Sequence, residues 1–244
     1  MKRVVGYERG RACLIPGDYS HRPLQLQSSF NISSIWPQNL NETIDTGKWN
    51  PHNSDEFCIA AGPHISGIDF RASKPTFRIP HAHLECVRDI DFNPNKPYYI
   101  ATGGDDGKVR IWDTRATTNG PVKELSNHTH WVWSVNYNRY HDQLLLSSSS
   151  DCLVNLHNVV SVSSTPYGLI RSMDQDMDTE SGLEDVNEAI KTTDELIATY
   201  REFEDSVYSV AWSTADPWIF ASLSFDGRVN INIVPQEVKY SIIL

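Results

Sequence analysis

No run of apolar residues approaches the roughly 18 that a membrane-spanning helix needs, and Met1-Lys2-Arg3 is not followed by the apolar stretch of a secretory leader. The four cysteines, Cys13, Cys58, Cys86 and Cys152, never fall in a C-x-x-C spacing, so the sequence offers neither a thiolate zinc site nor a redox pair. Reduced thiols in a cytoplasmic protein are the expectation. Gly103-Gly104-Asp105-Asp106-Gly107 lacks the Lys-Ser/Thr of a phosphate loop. Excess positive charge is also missing: the net charge is −10, which repels nucleic acid. What remains, 39% hydrophobic and 10% aromatic residues, is enough to bury a core.

The acidity is local. From Asp174 to Glu195 nine carboxylates face Lys191 alone, which marks residues 171–195 as an acidic insertion. Such charge density reads first as a solvated loop. Leu183, Val186 and Ile190 recur at helical spacing, so a short partner-docking helix is the alternative. Asp174-Gln175-Asp176-Met177-Asp178 begins like a calcium loop, but Thr179 occupies the position of the sharp-turn glycine, and calcium is rejected.

Three stretches share one skeleton: Val87 to Phe92, Val132 to Tyr137 and Val207 to Trp212, each with an aspartate 19 residues after its first valine, at Asp106, Asp151 and Asp226. A fixed offset between an alternating apolar run and a turn aspartate means one supersecondary unit is built repeatedly. Each unit reads as a strand, a turn, a second strand rich in β formers, a tight Asp-Gly type turn and a third strand. A looser fourth run precedes the next unit, as in Pro121 to Leu125 and Leu196 to Tyr200. Upstream, Trp49-Asn50-Pro51 and Ile68-Asp69-Phe70-Arg71 form an eroded copy without the turn aspartate.

Four short antiparallel strands at a 45-residue spacing resemble the WD-repeat β-propeller. His83 and His128 lie 23 residues before Asp106 and Asp151, and Thr102, Ser147 and Ser222 lie four before Asp106, Asp151 and Asp226. In WD repeats the matching His, Ser/Thr, Asp and Trp form a structural tetrad, complete here only with Trp112. His157 stands for Trp in the second copy; Phe203 and Asn232 stand for His and Trp in the third. The repeat thus accounts for His81-Ala82-His83, His128-Thr129-His130 and Asp105-Asp106 without metal or acid-base chemistry. No catalytic residue, metal or cofactor is expected.

The expected fold is all-β: blades at about 44–82, 83–127, 128–200 and 201–244, after an atypical, poorly ordered segment 1–43 with regular alternation only from Arg11 to Ile15. Most WD rings have seven blades, about 300 residues at this repeat length, so the expectation is the C-terminal part of a larger ring.

Val87 to Lys96, His130-Trp131-Val132-Trp133, His141 to Leu146, Glu204 to Tyr208 and Ala215 to Ser224 resemble the EARP- and GARP-interacting WD-repeat proteins over about residues 47–244. The resemblance implies a non-enzymatic adaptor of these tethering complexes, peripheral to recycling endosomes and the trans-Golgi network. Its expected roles are endosomal recycling, retrograde traffic to the Golgi and sorting of dense-core vesicle cargo. Arg88, Trp131, Trp133 and Tyr208 flank the first strands and are of the types that dominate interface hot spots, which makes them candidate contacts; the competing reading is packing between blades. A second hypothesis rests on Trp112-Asp113-Thr114-Arg115 and Ile68-Asp69-Phe70-Arg71, which resemble the WDxR boxes of substrate receptors for cullin-RING ubiquitin ligases. There Arg71 and Arg115 would reach the ligase adaptor, unless Asp-x-Arg closes its strand by a local ion pair.

Overall fold

A computed structural model describes residues 44–164 and 194–243, together with the backbone of three N-terminal strands, β1 (Lys2–Glu8), β2 (Arg11–Gly17) and β3 (Ser28–Asn31). These pair antiparallel in chain order. The expectation of regular structure only at Arg11 to Ile15 is therefore too narrow. Val4, Val5 and Tyr7 in β1 are β formers. The proposed helix and the rejected calcium loop of the acidic insertion lie outside the described residues.

Four further antiparallel sheets follow. The first holds β4 (Ile44–Trp49), β5 (Glu56–Ala61), β6 (His64–Asp69) and β7 (Lys74–Ile79). The second holds β8 (Val87–Phe92), β9 (Tyr99–Gly104), β10 (Val109–Asp113) and β11 (Lys123–Leu125). The third holds β12 (Val132–Tyr137), β13 (Leu144–Ser149), β14 (Val154–Asn158) and β15 (Glu195–Tyr200). The fourth has only β16 (Val207–Trp212), β17 (Ile219–Ser224) and β18 (Val229–Ile233), and runs into an unexpected helix, α1 (Gln236–Ile243).

Both turns of the unit are set by side chains. After the first strand, Asn93 Oδ1 accepts the backbone N–H of Asn95 and Lys96 at 2.8 Å each, and Asn138 Oδ1 takes Tyr140 at 2.9 Å and His141 at 3.1 Å. Asn50 and Ser213 do the same at their repeat positions. This turn rests on an Asx-type cap, more than on Pro94 and Pro97 of the second blade. At the hairpin, Asp106, Asp151 and Asp226 accept the N–H two residues on, across a left-handed residue: Gly107 (φ 73°), Cys152 (φ 65°) and Gly227 (φ 81°).

Alternation along each strand makes both faces of a blade apolar, and three seams bury them. Cys58 and Ala60 of the first blade meet Val87, Ile90 and Ile100 of the second. Val109 and Ile111 meet Val132, Val135 and Tyr137, and Leu144, Leu146, Val154 and Leu156 meet Val207, Val210 and Phe220. Val238 and Ile242 of α1 lie against the last of these clusters.

The first strands β4, β8, β12 and β16 are sheet edges, and neighbouring side chains satisfy part of their backbone. Asp89 Oδ2 accepts Val135 N–H at 3.0 Å and the Ser134 hydroxyl at 2.9 Å, while Asp91 Oδ2 accepts Tyr137 N–H at 2.8 Å. Lys48 Nζ reaches the other Asp91 oxygen at 3.1 Å, and Trp212 Nε1–H donates to Asn136 O at 3.0 Å. These bridges step from each blade to the next.

The acidic insertion ends in ordered structure. Asp194, counted with it, is buried: its carboxylate takes Ser161 N–H at 2.8 Å, the Ser161 hydroxyl and Lys123 Nζ at 2.7 Å, and Glu195 is already the first residue of β15. The boundary at 195 therefore lies too far along the chain. Its residue types gave no warning, because a pinning aspartate reads like the other acidic residues of the segment.

The last blade is open on one face. Val229, Ile231 and Ile233 are between 61% and 72% exposed, whereas Val109 and Ile111, two repeats earlier, are at most 1% exposed. No described strand lies outside β18. Its ladder to β17, bonded at Ser224 N to Arg228 O and Val234 N to Trp218 O, turns the N–H and C=O of Val229, Ile231 and Ile233 away from β17. Tyr200 O–H donates to Ile233 O at 3.2 Å.

One repeat position thus supplies its own control. Ile111→Ala is expected to cost about 2–4 kcal/mol in urea unfolding, and Ile231→Ala under about 0.5 kcal/mol. Equal costs would show that the face of β18 is covered in solution.

Candidate interaction surface

The histidines, hydroxyls and aspartates form locks inside the blades. His83 Nδ1 lies 2.8 Å from Asp106 Oδ1 and Nε2 lies 2.8 Å from Thr102 Oγ1, which also accepts Trp112 Nε1–H at 3.1 Å. With Asp106 ionised, Nδ1 carries the proton and the Thr102 hydroxyl donates to Nε2. Arg110 adds a 2.8 Å ion pair to Asp106. A Cβ on Gly104 would lie 2.3 Å from His83 Nδ1, and one on Gly103 would lie 2.6 Å from a Val132 methyl. The glycine pair that looks like part of a phosphate loop is there to let the lock and the next blade approach.

In the third blade His128 Nδ1 is 2.9 Å from Asp151 and Nε2 is 2.8 Å from Ser147 Oγ, which meets His157 Nε2 at 2.9 Å. Ser-His-Asp in this order has the groups of a hydrolytic triad, but Ser147 is fully buried and its hydroxyl is engaged on both sides. In the fourth blade the lock is undone: Ser222 Oγ donates to Asn232 at 3.4 Å, Asp226 turns to Arg228, and Phe203 fills the histidine position. Among the described residues, no three His, Cys, Asp or Glu side chains are placed to hold a metal.

The rim at the hairpin end is built differently. The second residue of each first strand meets the residue 17 positions later, and each blade makes that pair with different chemistry. In the first blade Asp45 Oδ2 accepts Gly62 N–H at 2.8 Å. In the second, Arg88 forks onto both oxygens of Asp105 at 2.6 Å. In the third, Trp133 Nε1–H donates to Ser150 Oγ at 2.5 Å. In the fourth, Tyr208 and Phe225 have ring centroids 4.7 Å apart.

Lateral contacts fuse three of these pairs into one strip. The Arg88 guanidinium lies 5.0 Å from the Trp133 ring and 5.5 Å from the Trp131 ring, a double cation–π contact. Trp131 meets Trp133 edge-on at 5.8 Å, and Trp133 meets Phe225 at 6.5 Å. Arg88, Trp131, Trp133 and Tyr208 therefore lie together. The structure adds Phe225, 61% exposed, the most open ring of the group beside Trp131 at 39%. Phe225 was missed because it sits in the hairpin turn; its 17-residue distance from Tyr208 is the signal that finds it.

Arg71 and Arg115 lie at the opposite ends of the strands. The Arg115 fork is occupied by Asp113, at 3.0 and 2.7 Å, and stacks over Tyr98 at 4.5 Å, while Asp69 caps the backbone of Arg71 and Ala72. For Arg115 the geometry is that of a local ion pair closing its strand.

Blades with repeating His-Asp locks and a variable rim define a WD-repeat β-propeller protein. The sequence model of the WD domain, G-beta repeat, matches residues 194–231, and that of the EIPR1 beta-propeller matches residues 27–157. The chain belongs to the EIPR1 β-propeller family. It is 50% identical over 200 residues to human EARP and GARP complex-interacting protein 1, covering 82% of this chain and 51% of that protein. It is 41% identical over 206 residues to EARP-interacting protein 1 of Caenorhabditis elegans, with 84% and 55% covered. WD repeat-containing protein DWA2 of Arabidopsis thaliana is 35% identical over 208 residues, with 85% and 54% covered. The chain spans about half the length of these relatives.

The locks and the inner bridges titrate in opposite senses. Burial pushes His83 down, against the pull of Asp106, and pushes His157 down to about 3. Unfolded histidines take up protons near pH 6.5, so these two favour the unfolded chain as pH falls below that value. Desolvation pushes Asp89 up to about 6, against the attraction of Lys48. It therefore binds a proton in the folded chain first and favours folding as pH falls from 7 to 5. Burial alone would raise Asp106 and Asp151, but their histidine partners hold both low, so their contribution is lost only below about pH 4. Asp89→Asn keeps an acceptor for Val135 N–H and removes the compensating proton. Between pH 7 and 5 its unfolding free energy should fall more steeply than that of the wild type, by up to about 1.4 kcal/mol per pH unit. Urea titrations at pH 7, 6 and 5 measure this, and parallel slopes would clear Asp89 of the role.

Proposed function

We propose that this chain is a non-enzymatic adaptor that binds the EARP and GARP tethering complexes through the aromatic rim strip. In this reading it works peripherally at recycling endosomes and the trans-Golgi network, assisting endosomal recycling, retrograde traffic and dense-core vesicle cargo sorting. The observation that carries it is the Arg88–Trp131–Trp133–Phe225–Tyr208 strip. It gathers hot-spot residue types from three blades on a rigid support, Trp131 and Phe225 exposed and Arg88, Trp133 and Tyr208 half-buried, which suits a protein partner and requires no reactive group. The names of the human and nematode relatives supply the class of partner.

Purified EARP complex offered to the immobilised chain tests it. Trp131→Ala, at an exposed position, is expected to weaken capture about 30-fold, the scale of a 2 kcal/mol hot spot. Arg115→Ala should leave capture unchanged. Loss on Arg115→Ala with none on Trp131→Ala would move the contact to the opposite rim and favour docking on a ligase adaptor.

A further inference from the structure

The strip has carboxylates at both ends. Where the first and second blades meet, Asp45, Glu85, Asp105 and Arg88 all lie close enough to act on the Cys86 thiol. At the fourth blade, Asp205 and Asp226 lie near Cys152, and Glu204 shares Arg228 with Asp226. Each end therefore sets three carboxylates against one guanidinium. Arg88 is also spent internally, held by Asp105 below and by two indole rings at its side. Its charge is not free for an acidic partner. Lys96, Arg115, Arg139 and Lys239 sit at the other ends of the strands or in α1, and of the cations at this rim Lys108, Arg110 and Arg228 are, like Arg88, held by carboxylates.

We infer that the strip docks a partner segment in which an apolar residue is flanked on both sides by lysine or arginine. The apolar residue covers Phe225 and Trp131; one cation meets Glu85 and the other meets Asp205, both exposed. Apolar contact supplies the affinity, and the carboxylates set the register and repel acidic competitors. This rests on the adaptor reading for the identity of the partner, but not for its chemistry.

Two fluorescent twelve-residue peptides with a common Leu-Phe core, one flanked by Lys-Arg pairs and one by Glu-Asp pairs, separate the two claims. At 50 mM NaCl the wild-type chain is expected to bind the basic peptide at least tenfold more tightly, and the advantage should fall below threefold at 500 mM as screening shortens the field. Glu85→Lys with Asp205→Lys should abolish the preference, while Phe225→Ala should weaken the basic peptide at least tenfold. All three positions are exposed, and an unchanged melting temperature confirms intact folding. Equal affinity, preference for the acidic peptide, or no binding of either overturns the inference. Purified EARP complex is the second probe. Capture of the complex that ignores the charge reversal sinks the inference and leaves the adaptor reading; a basic-peptide preference without capture does the reverse.

Discussion

Everything in this chain depends on a β-sheet being apolar on both faces. A four-stranded blade with Ile100 on one side of β9 and Ala101 on the other cannot be stable in water by itself, because each face must be buried against another sheet. The repeat follows from that constraint. Once Val87, Ile90 and Phe92 are buried against the first blade, the remaining face of the second carries Val109 and Ile111 and requires a third. The same logic makes the last face conspicuous: Val229 and Ile231 stand at the positions of Val109 and Ile111 without a described neighbour. Such a face invites a partner sheet.

The locks are secondary to the seams. His83 and His128 tie the loop before the first strand to the hairpin between the second and third, and so fix where each blade starts relative to its own sheet. They tolerate erosion. In the third blade His157 takes the tryptophan's place against Ser147 at the cost of an unpaired buried Nδ1, and its burial, with His128 beside it, makes it resist protonation. In the fourth the histidine is gone, yet Val207, Val210 and Phe220 remain buried. Packing holds that blade while its polar lock does not.

Most of this was legible in the sequence, because the offsets of 19, 23 and four residues repeat and a repeat can be read without coordinates. The spacings single out His83, Thr102 and Asp106, and the resemblance to WD repeats implies the tetrad they form with Trp112. Contacts between non-equivalent positions of different blades were not legible. Asp89 and Asp91 read as the polar half of an alternating strand, and only three-dimensional neighbourhood shows them capping the edge of β12. Asp194 was hidden by its acidic neighbours, and α1 by its modest amphipathicity, although Pro235 between β18 and α1 marks the break. That no described strand lies beside β18 could not be read from a repeat pattern that was already loosest at its fourth strand.

The rim strip is where the repeat stops dictating residue type. Seam positions must be apolar, and lock positions, where the lock is kept, must exchange hydrogen bonds, so both are more constrained than the rim. The pair 17 residues apart has no such duty: it needs only to close the hairpin onto the first strand. Asp45 with Gly62, Arg88 with Asp105, Trp133 with Ser150 and Tyr208 with Phe225 each meet that need differently. A position free of structural demand in every blade can take whatever chemistry a partner selects. In three adjacent blades it has taken an arginine, a tryptophan and a tyrosine, the variation that the proposed recognition role calls for.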